Sequence, residues 1–356
     1  MATHKPPNTL DMIRSLIELP SISSTKAGLD MSNRPVIDWL ASQLEEEGFS
    51  VRIQPIPGAT GKANLIATLG RGSDGLVLAG HTDTVPYDDG HWSGDPFTLR
   101  EDHNRLYGLG TSDMKSFFAL AIEAARGLEP GKMKHPLIII ATADEETSMS
   151  GAKALVDEGT RLGRYAVIGE PTGMRPIRQH KGIMMEAIRL QGLSGHSSNP
   201  AYGNNALEGM HEVMQALLQF RHQMQARYQD PAFEVAVPTL NLGHIHGGDN
   251  PNRICGACEL HIDLRPLPGM DIDELRHDIH ARLEPIALQR QLGIEFEPLF
   301  DGIPAMQTDS NAEIVKLTEE LTGHSSESVA FGTEGPYFSQ LGMETIILGA
   351  GDIDQA

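Results

Sequence analysis

Cysteine is scarce in this chain, whose 356 residues contain only Cys255 and Cys258. Two cysteines exclude a disulfide-stapled scaffold, and so low a content suits a reducing compartment. Basic residues are also outnumbered, since 28 lysines and arginines stand against 48 aspartates and glutamates and give a formal net charge of −20. A surface that acidic repels phosphate backbones and anionic lipids, so we expect neither nucleic acid nor a membrane as a partner.

Long apolar runs are missing as well. The longest, such as Leu137 to Ala141, have the length of a strand and are too short to cross a bilayer. The first seven residues lack the cationic stretch followed by an apolar stretch that marks a secretory signal. We therefore predict a folded cytoplasmic protein, long enough for two domains.

Short apolar runs between turn residues predict the fold of the first domain. Four of them show no polar alternation, which is typical of strands buried on both faces of a sheet. These runs are 76–79, 137–140, 166–168 and 345–348. Helical stretches between them, notably 116–125 and 152–158, indicate an α/β domain with a mostly parallel sheet and helices on both faces.

The pattern changes in the middle of the chain. From about Gly182 to Leu288, alternating strands and two longer helices favour an inserted α+β unit. The helix around 314–321 and the last strand then resume the first domain. We predict that residues 1–181 and 291–356 form the two parts of a catalytic domain and that residues 182–290 form the insert.

Polar residues follow the predicted strands directly. His81 and Asp83 come after the first run, Asp144-Glu145-Glu146 after the second, and Glu170 after the third. In open α/β sheets, ligands bind beyond the carboxyl ends of the strands, so we expect these side chains at one edge of the sheet. Asp113, where a loop enters a helix, can join them.

The convergence of these residues points to a metal site. A single acid after a strand usually caps a helix or faces water, and a single histidine is more often a surface residue. Together, however, one histidine and four carboxylates supply the nitrogen and oxygen donors that zinc takes, with enough negative charge for two divalent ions. Asp83 can hold His81 in its metal-binding tautomer. The adjacent Glu145 and Glu146 suggest that one binds metal while the other moves protons.

These motifs resemble the two-zinc aminoacylase and carboxypeptidase family. The resemblance rests on residues 80–86, 108–115, 144–146 and 169–171, in that order, and it covers essentially the whole chain. It implies a hydrolase of linear amides that uses up to two zinc ions, with cobalt as a substitute, and acts on a small N-acyl amino acid. It also implies a ferredoxin-like insert that serves as a lid and dimerisation domain, and hence a homodimer.

The resemblance assigns roles to the residues at the strand ends. The metal ligands that it implies are His81, Asp113, Glu146 and Glu170. Asp113 would bridge one zinc ion to a second, which Glu146 binds. Glu145 would be the general base that takes a proton from water and returns it to the leaving amine. Asp83 would orient His81.

Contacts with the substrate are implied in the same way. His196, in Gly-His-Ser-Ser, would stabilise the oxyanion, in the family often from the partner subunit, although without the family a loop histidine is the simpler interpretation. The other implied contacts are Lys181, Asn252, Arg253, Arg265, Gly332, Thr333 and Glu334. Arg265 can grip a substrate carboxylate with both guanidinium nitrogens, while an ion pair with Asp263 is the structural alternative.

One feature of the family is missing from this chain. The family continues past its last strand to a histidine of the second zinc site, whereas no histidine follows position 324 here. A truncated chain, a one-zinc enzyme and a replacement group from elsewhere are all open explanations. We expect truncation, because the sequence ends where that histidine would come.

More than one substrate and more than one class of activity are consistent with the sequence. The resemblance implies removal of an acetyl group, with removal of a succinyl group or hydrolysis of a broader range of N-acyl amino acids as alternatives. An acidic site suits a substrate with a cationic side chain. A non-catalytic binding module on the same fold is the alternative of another class. Glu145, whose evident use is catalysis, argues against it.

Overall fold

The structure, a computed structural model, describes residues 7–88 and 90–355. In these ranges the α-helices are α1 (Thr9–Ile17), α2 (Arg34–Glu46), α3 (Ser116–Ala125), α4 (Ser150–Glu158), α5 (Ala206–Arg227), α6 (Ile272–Gln289), α7 (Glu313–Thr322) and α8 (Gly335–Gln340). The strands are β1 (Ser50–Pro55), β2 (Ala63–Leu69), β3 (Leu76–His81), β4 (Arg100–Asp102), β5 (Arg105–Tyr107), β6 (Leu137–Thr142), β7 (Tyr165–Ile168), β8 (Ile177–His180), β9 (Met184–Gln191), β10 (Thr239–Gly247), β11 (Ala257–Arg265), β12 (Gly293–Pro298), β13 (Met306–Gln307), β14 (Glu327–Val329) and β15 (Glu344–Ile347).

The described chain divides into two compact units. Unit 1 comprises the residues up to Arg178, the segment Thr308–Glu327 and the residues from Thr333 onwards. Unit 2 comprises Gln179–Gln307 and Ser328–Gly332. The predicted insert, 182–290, is therefore too short at its C-terminal end, because β12 pairs with β9 and belongs to the sheet of unit 2.

The sheet of unit 1 is mixed. Its strands lie in the order β1-β2-β6-β3-β7-β15-β8, and the short strands β13 and β14 pair with β8 where the chain passes between the units. The central strands β6, β3, β7 and β15 run parallel, whereas β1, β2 and β8 are antiparallel to their neighbours. The α/β class is confirmed, but the sheet is less parallel than predicted because these outer strands join it.

Helices cover both faces of this sheet because its central strands are apolar throughout. Leu137, Ile139 and Ala141 of β6 belong to the buried cluster that holds α1, α2 and α3. Ile314 of α7 packs on Ile346 of β15, which the register places on the same face as Ile139. On the other face, Ile140, Ile168 and Ile347 are buried as well, and α8 contacts β15. The N-terminus of α1 is capped by Asn8, whose side chain accepts the N–H of Asp11 at 2.9 Å.

Unit 2 has the ferredoxin-like arrangement. Its elements follow the chain order β9-α5-β10-β11-α6-β12, and its antiparallel sheet has the strand order β10-β11-β9-β12. One apolar cluster joins α5 and α6 to this sheet. Cys255 and Cys258 are buried free thiols of that cluster.

None of the helices within residues 7–88 and 90–355 combines the length and the apolar composition that crossing a bilayer requires. The prediction about a secretory signal falls mainly on residues 1–6, which lie outside the described residues, and it stays a prediction.

Candidate metal centre

The parallel strands of unit 1 bring the predicted motifs to one edge of the sheet. β3 lies between β6 and β7, with His81 opposite Thr142 and Ala79 opposite Ile168. The chain continues from Thr142 into the Asp144-Glu145-Glu146 segment and from Ile168 into Gly169 and Glu170. The motifs meet because neighbouring parallel strands end at the same edge.

Two glycines let the loop before α3 approach these strand ends. A Cβ at Gly80 would overlap the Met114 side chain, and one at Gly169 would overlap the Phe117 ring. The sulfur of Met114 also accepts the N–H of His81 at 3.4 Å. Asp113, next to Met114, is thereby placed against the end of β3.

The predicted metal ligands converge on His81. Single donor atoms of His81, Asp113 and Glu146 lie within 4.8 Å of one another. The Nε2 atom of His81 is 2.9 Å from Oδ1 of Asp113 and 3.7 Å from Oε1 of Glu170. That Oε1 atom is buried and, among the described residues, has no hydrogen-bond partner.

Asp83 makes more contacts than the sequence suggested. Nδ1 of His81 is 3.0 Å from the backbone carbonyl of Asp83 but 3.6 Å from its carboxylate, so the carbonyl is the closer acceptor. This contact holds a proton on Nδ1, so Nε2 is the nitrogen that can bind a metal. The Asp83 carboxylate instead accepts the N–H groups of Glu145 and Glu146, at 3.2 and 3.1 Å.

The clustered carboxylates repel one another. Burial, together with the charges of Asp113 and Asp83, raises the pKa of Glu146 to about 7. Burial and the neighbouring carboxylates also raise the pKa values of Glu145 and Glu170 well above the ordinary value. Burial alone would lower the pKa of His81, but its hydrogen bond to Asp113 and the surrounding carboxylates raise it well above its ordinary value.

These residues fit divalent zinc. One imidazole nitrogen and several carboxylate oxygens are donors that zinc accepts, and a divalent cation would relieve the repulsion that raises the carboxylate pKa values. The buried Oε1 atom of Glu170, without a protein partner, is a ready ligand atom. Glu145 lies beside this set and stays available for proton transfer.

Two further charged residues are buried nearby in unit 1. Lys115 is fully buried, and its Nζ donates to the carbonyl of Leu19 at 3.0 Å. Burial lowers the pKa of Lys115 to about 7, against the opposing effect of Asp83. Glu334, predicted to contact substrate, is fully buried, and burial together with the charge of Asp83 raises its pKa to about 7. The burial of Lys115 was not predicted, although this residue closes the motif that contains Asp113.

Other predicted substrate contacts lie together on two loops of unit 2. His196 and Arg253 form a backbone bridge, and the N–H of Ser197 donates to the carbonyl of Asn252 at 2.9 Å. Nδ1 of His196 accepts the N–H of Ser198 at 3.2 Å. The proton of a neutral His196 is therefore on Nε2, which makes that atom a hydrogen-bond donor.

The remaining predicted contacts already have protein partners or lie in short connecting segments. The ammonium of Lys181 donates to the carbonyls of Val235 and Val237, both at 2.7 Å. Arg265 forms the alternative ion pair with Asp263, at 2.9 Å. Gly332 and Thr333 are consecutive residues at a boundary between the units. Their contacts with substrate stay predictions.

Comparisons with known proteins agree with this geometry. Residues 77–356 match the model of peptidase family M20/M25/M40. An acetylornithine deacetylase from Pectobacterium carotovorum subsp. carotovorum (strain PC1) is 48% identical over 350 residues, which cover 98% of this chain and 91% of that relative.

Solved structures share the fold at lower identity. An M20 family metallo-carboxypeptidase from Sulfolobus solfataricus has a TM-score of 0.73 and 14% identity, over 97% of this chain and 91% of its own. A tripeptidase from Staphylococcus aureus subsp. aureus Mu50 has a TM-score of 0.72 and 17% identity, over 98% and 90%. A dinuclear metal-binding M20 peptidase from Bacillus subtilis has a TM-score of 0.63 and 16% identity, over 96% and 88%.

Proposed function

This chain belongs to peptidase family M20/M25/M40, and we propose that it hydrolyses N-acetyl-L-ornithine to L-ornithine and acetate. It is a metal-dependent hydrolase that acts on amides. The observation that carries the reaction type is the convergence of His81, Asp113 and Glu146 beside Glu145. The substrate is supported by the 48% identity to an acetylornithine deacetylase over nearly the whole chain.

The residues of unit 1 can carry out the proton transfers of amide hydrolysis. His81, Asp113, Glu146 and Glu170 would hold zinc, which when bound would supply Lewis-acid chemistry for the acyl carbonyl and for water. Burial raises the pKa of Glu145, which makes its carboxylate a stronger base for the proton of the attacking water. The water oxygen bonds to the acyl carbon, the carbon–nitrogen bond breaks, and Glu145 returns the proton to the departing amine.

Oxyanion stabilisation by His196 is part of the proposal. The tautomer fixed by the Ser198 N–H presents an N–H at Nε2, which is the donor that a tetrahedral oxyanion needs. We propose that this histidine acts in the partner subunit of a homodimer. Within the described residues, β10 is an edge strand of the unit 2 sheet and its Ile245 is 46% exposed, which supports such an interface.

Substrate choice is tested by comparing acyl groups. The protein, reconstituted with Zn²⁺, is assayed for release of free amine from N-acetyl-L-ornithine and from N-succinyl-LL-diaminopimelate. We expect kcat/KM to be at least about tenfold higher for the acetyl substrate, a difference of about 1.4 kcal/mol in transition-state stabilisation. A clear preference for the succinyl substrate would replace this proposal by a desuccinylase.

The catalytic role is tested at Glu145. Glu145→Gln removes the base but keeps the shape of the side chain, so turnover is expected to fall at least about 100-fold. The content of zinc, measured by elemental analysis, should stay that of the unsubstituted protein. Unchanged turnover would remove Glu145 from the mechanism, and absence of turnover in the unsubstituted protein with zinc bound would favour a binding module.

The metal and the assembly are tested separately. We propose zinc as the metal, in up to two ions per chain, with cobalt as a substitute; elemental analysis gives the number.

Light scattering coupled to size exclusion gives the oligomeric state. Ile245→Lys should weaken a dimer, whereas Leu321→Lys, at a 75% exposed leucine of unit 1, should not. If the unsubstituted protein is a monomer, the role of His196 across subunits is contradicted.

The cellular setting completes the proposal. Ornithine is a precursor of arginine, so we place the reaction in arginine biosynthesis. A cytoplasmic location is supported by the two free, buried thiols, which a reducing compartment preserves.

A further inference from the structure

The turn that carries Glu145 and Glu146 is held at two points. Asp83 accepts the backbone N–H groups of both glutamates, as described above. The second point is Asp144, which precedes them and has a φ of 56°, in the left-handed region that an aspartate adopts at some cost. Its carbonyl accepts the N–H groups of residues 148 and 149, at 3.1 and 2.8 Å.

The carboxylate of Asp144 is buried and fully engaged. Its Oδ1 atom is 2.7 Å from Nζ of Lys62 and accepts the hydroxyl of Ser23 at 3.0 Å. Its Oδ2 atom accepts the hydroxyl of Ser150 at 2.9 Å. Asp144 is 7% exposed and the Lys62 side chain only 4%, so this ion pair is screened little by water.

Lys62 directly precedes β2, and the first residues of this strand contact the segment that carries Asp144. Two residues further along, Asn64 accepts the N–H of Ala143 at 3.2 Å and donates to the carbonyl of Gly151 at 2.8 Å. Residues two apart in an extended chain point to the same side, so Lys62 and Asn64 both contact the segment 143–151. The other partner of the Lys62 ammonium is Asp30, at 2.8 Å.

We propose that Lys62 is a positioning residue for Glu145 and Glu146: its ammonium fixes Asp144 and so determines where the two following glutamates are held. The idea rests on the proposed hydrolase function. Without Lys62, the buried Asp144 carboxylate keeps only the hydroxyl donors of Ser23 and Ser150 and loses its ammonium partner, so the side chain is no longer held in this orientation. Its movement releases the residue from which Glu145 extends.

The expected effect falls on the chemical step. A base misplaced by about 1 Å can cost on the order of 100-fold in rate, whereas substrate contacts elsewhere are untouched. We therefore expect Lys62→Met to lower kcat by roughly 10- to 100-fold with KM changed by less than about threefold. Lys62→Arg keeps a cation beside Asp144 and should recover at least about threefold of the lost kcat.

The matched control is Asp30→Asn. The Asp30 side chain is 35% exposed and is the other partner of the Lys62 ammonium. Its substitution leaves the pair of Lys62 with Asp144 in place. Its kcat should stay within about twofold of the unsubstituted value. All rates are expressed per folded molecule, as judged by circular dichroism.

A double variant keeps the test decisive if Lys62→Met does not fold. Lys62→Met/Asp144→Asn removes both members of the buried pair, which is better tolerated than leaving one charge alone. It should show the fall in kcat expected for Lys62→Met, roughly 10- to 100-fold. A kcat within twofold of the unsubstituted protein in the folded double variant, or a fall in Asp30→Asn equal to that in Lys62→Met, overturns the proposal.

A spectroscopic readout separates this proposal from the proposed function. If the unsubstituted protein hydrolyses no N-acyl amino acid, the function has failed, and the geometry is then read from the visible absorption of Co²⁺ added to the metal-free protein. A displaced Glu146 changes the ligand field, so Lys62→Met should alter the band positions and Asp30→Asn should not. If the Co²⁺ spectrum of Lys62→Met is the same as that of the unsubstituted protein and of Asp30→Asn, the positioning role is overturned, whether or not the protein is a hydrolase.

Discussion

His180 provides a test of buried polar structure in unit 2. It is fully buried on β8, and its Nδ1–H donates to the carbonyl of Lys181 at 2.8 Å. Among the described residues, Nε2 has no hydrogen-bond partner. Burial lowers the pKa of His180 from 6.5 to about 4, against the smaller opposing effect of the hydrogen bond to Lys181. The folded protein therefore keeps this imidazole neutral.

The sign and size of the stability effect follow from these values. As the pH falls below 6.5, the unfolded chain takes up a proton on His180 while the folded chain does not, so stability is lost. The loss continues until the folded state also titrates, at about pH 4. The two pKa values, 6.5 and about 4, differ by about 2.5, which corresponds to about 3 kcal/mol in total. About 2 kcal/mol of it should be lost by pH 5.

The assay is urea unfolding at pH 7, 6 and 5, followed by circular dichroism. His180→Asn cannot titrate but keeps a donor near the position of Nδ1, so it should lose about 2 kcal/mol less than the unsubstituted protein between pH 7 and 5. His277→Asn, at an exposed position of α6, is the control and should follow the unsubstituted protein. Parallel losses in all three proteins, or titration of His180 near 6.5 by NMR, would refute the reasoning.

Further expectations concern the metal centre and the loop of His196. The Ser198 hydroxyl lies 2.8 Å from Nδ1 of His196. Ser198→Ala removes this contact, leaves the backbone N–H as the partner of the ring and should lower kcat by about two- to fivefold, with Ser197→Ala as the control. Asp83→Asn keeps the carbonyl that His81 contacts but places an amide N–H against a backbone N–H of the Glu145–Glu146 segment. It should lower kcat at least about tenfold while zinc content is retained, and loss of zinc would show that the carboxylate orients His81. Gly169→Ala should lower the free energy of unfolding by about 1–3 kcal/mol, and Phe117→Leu in the same chain should restore part of it. Chelation of the metal should lower Tm as well as activity, because the clustered carboxylates then repel; an unchanged Tm would contradict the electrostatic argument.

Local sequence predicted the elements that are apolar or amphipathic over their whole length. The helix predicted over 116–125 coincides with α3, and the apolar runs became β3, β6, β7 and β15 within two residues at either end. Strands β1 and β10 were not predicted, because β1 ends in proline and β10 contains two glycines and two histidines. Pairing with β2 and β11 determines their structure, and a single-sequence pattern does not contain that information.

The end of the inserted unit was missed for a related reason. β12 is a weak strand by itself, and it belongs to unit 2 because residues 293–298 pair with β9, about a hundred residues earlier. The composition around position 290 changes little, whereas the pairing partner decides the membership. A boundary read from composition therefore stops short of the strand that completes the sheet.

The candidate site likewise has features that local sequence predicts and features that depend on distant residues. Its location was predictable, because parallel strands that end in His81, Glu146 and Glu170 motifs must meet at one edge. Its orientation was not, because the groups that hold the Glu145–Glu146 turn come from distant positions and have no motif of their own. Lys62 reads in sequence as an ordinary lysine before a strand, and only the fold places it 2.7 Å from Asp144.

Asp83 shows why residue type alone leaves the mechanism open. A carboxylate two residues after a histidine is expected to hold the imidazole, yet here the backbone carbonyl of the same residue is the closer acceptor, at 3.0 Å against 3.6 Å. The carboxylate is thereby free to hold two backbone N–H groups of the turn that follows β6. Asp83 thus links the orientation of His81 to the position of Glu145, so displacing this residue should disturb metal binding and proton transfer together. A substitution that alters only its side chain should disturb mainly the second.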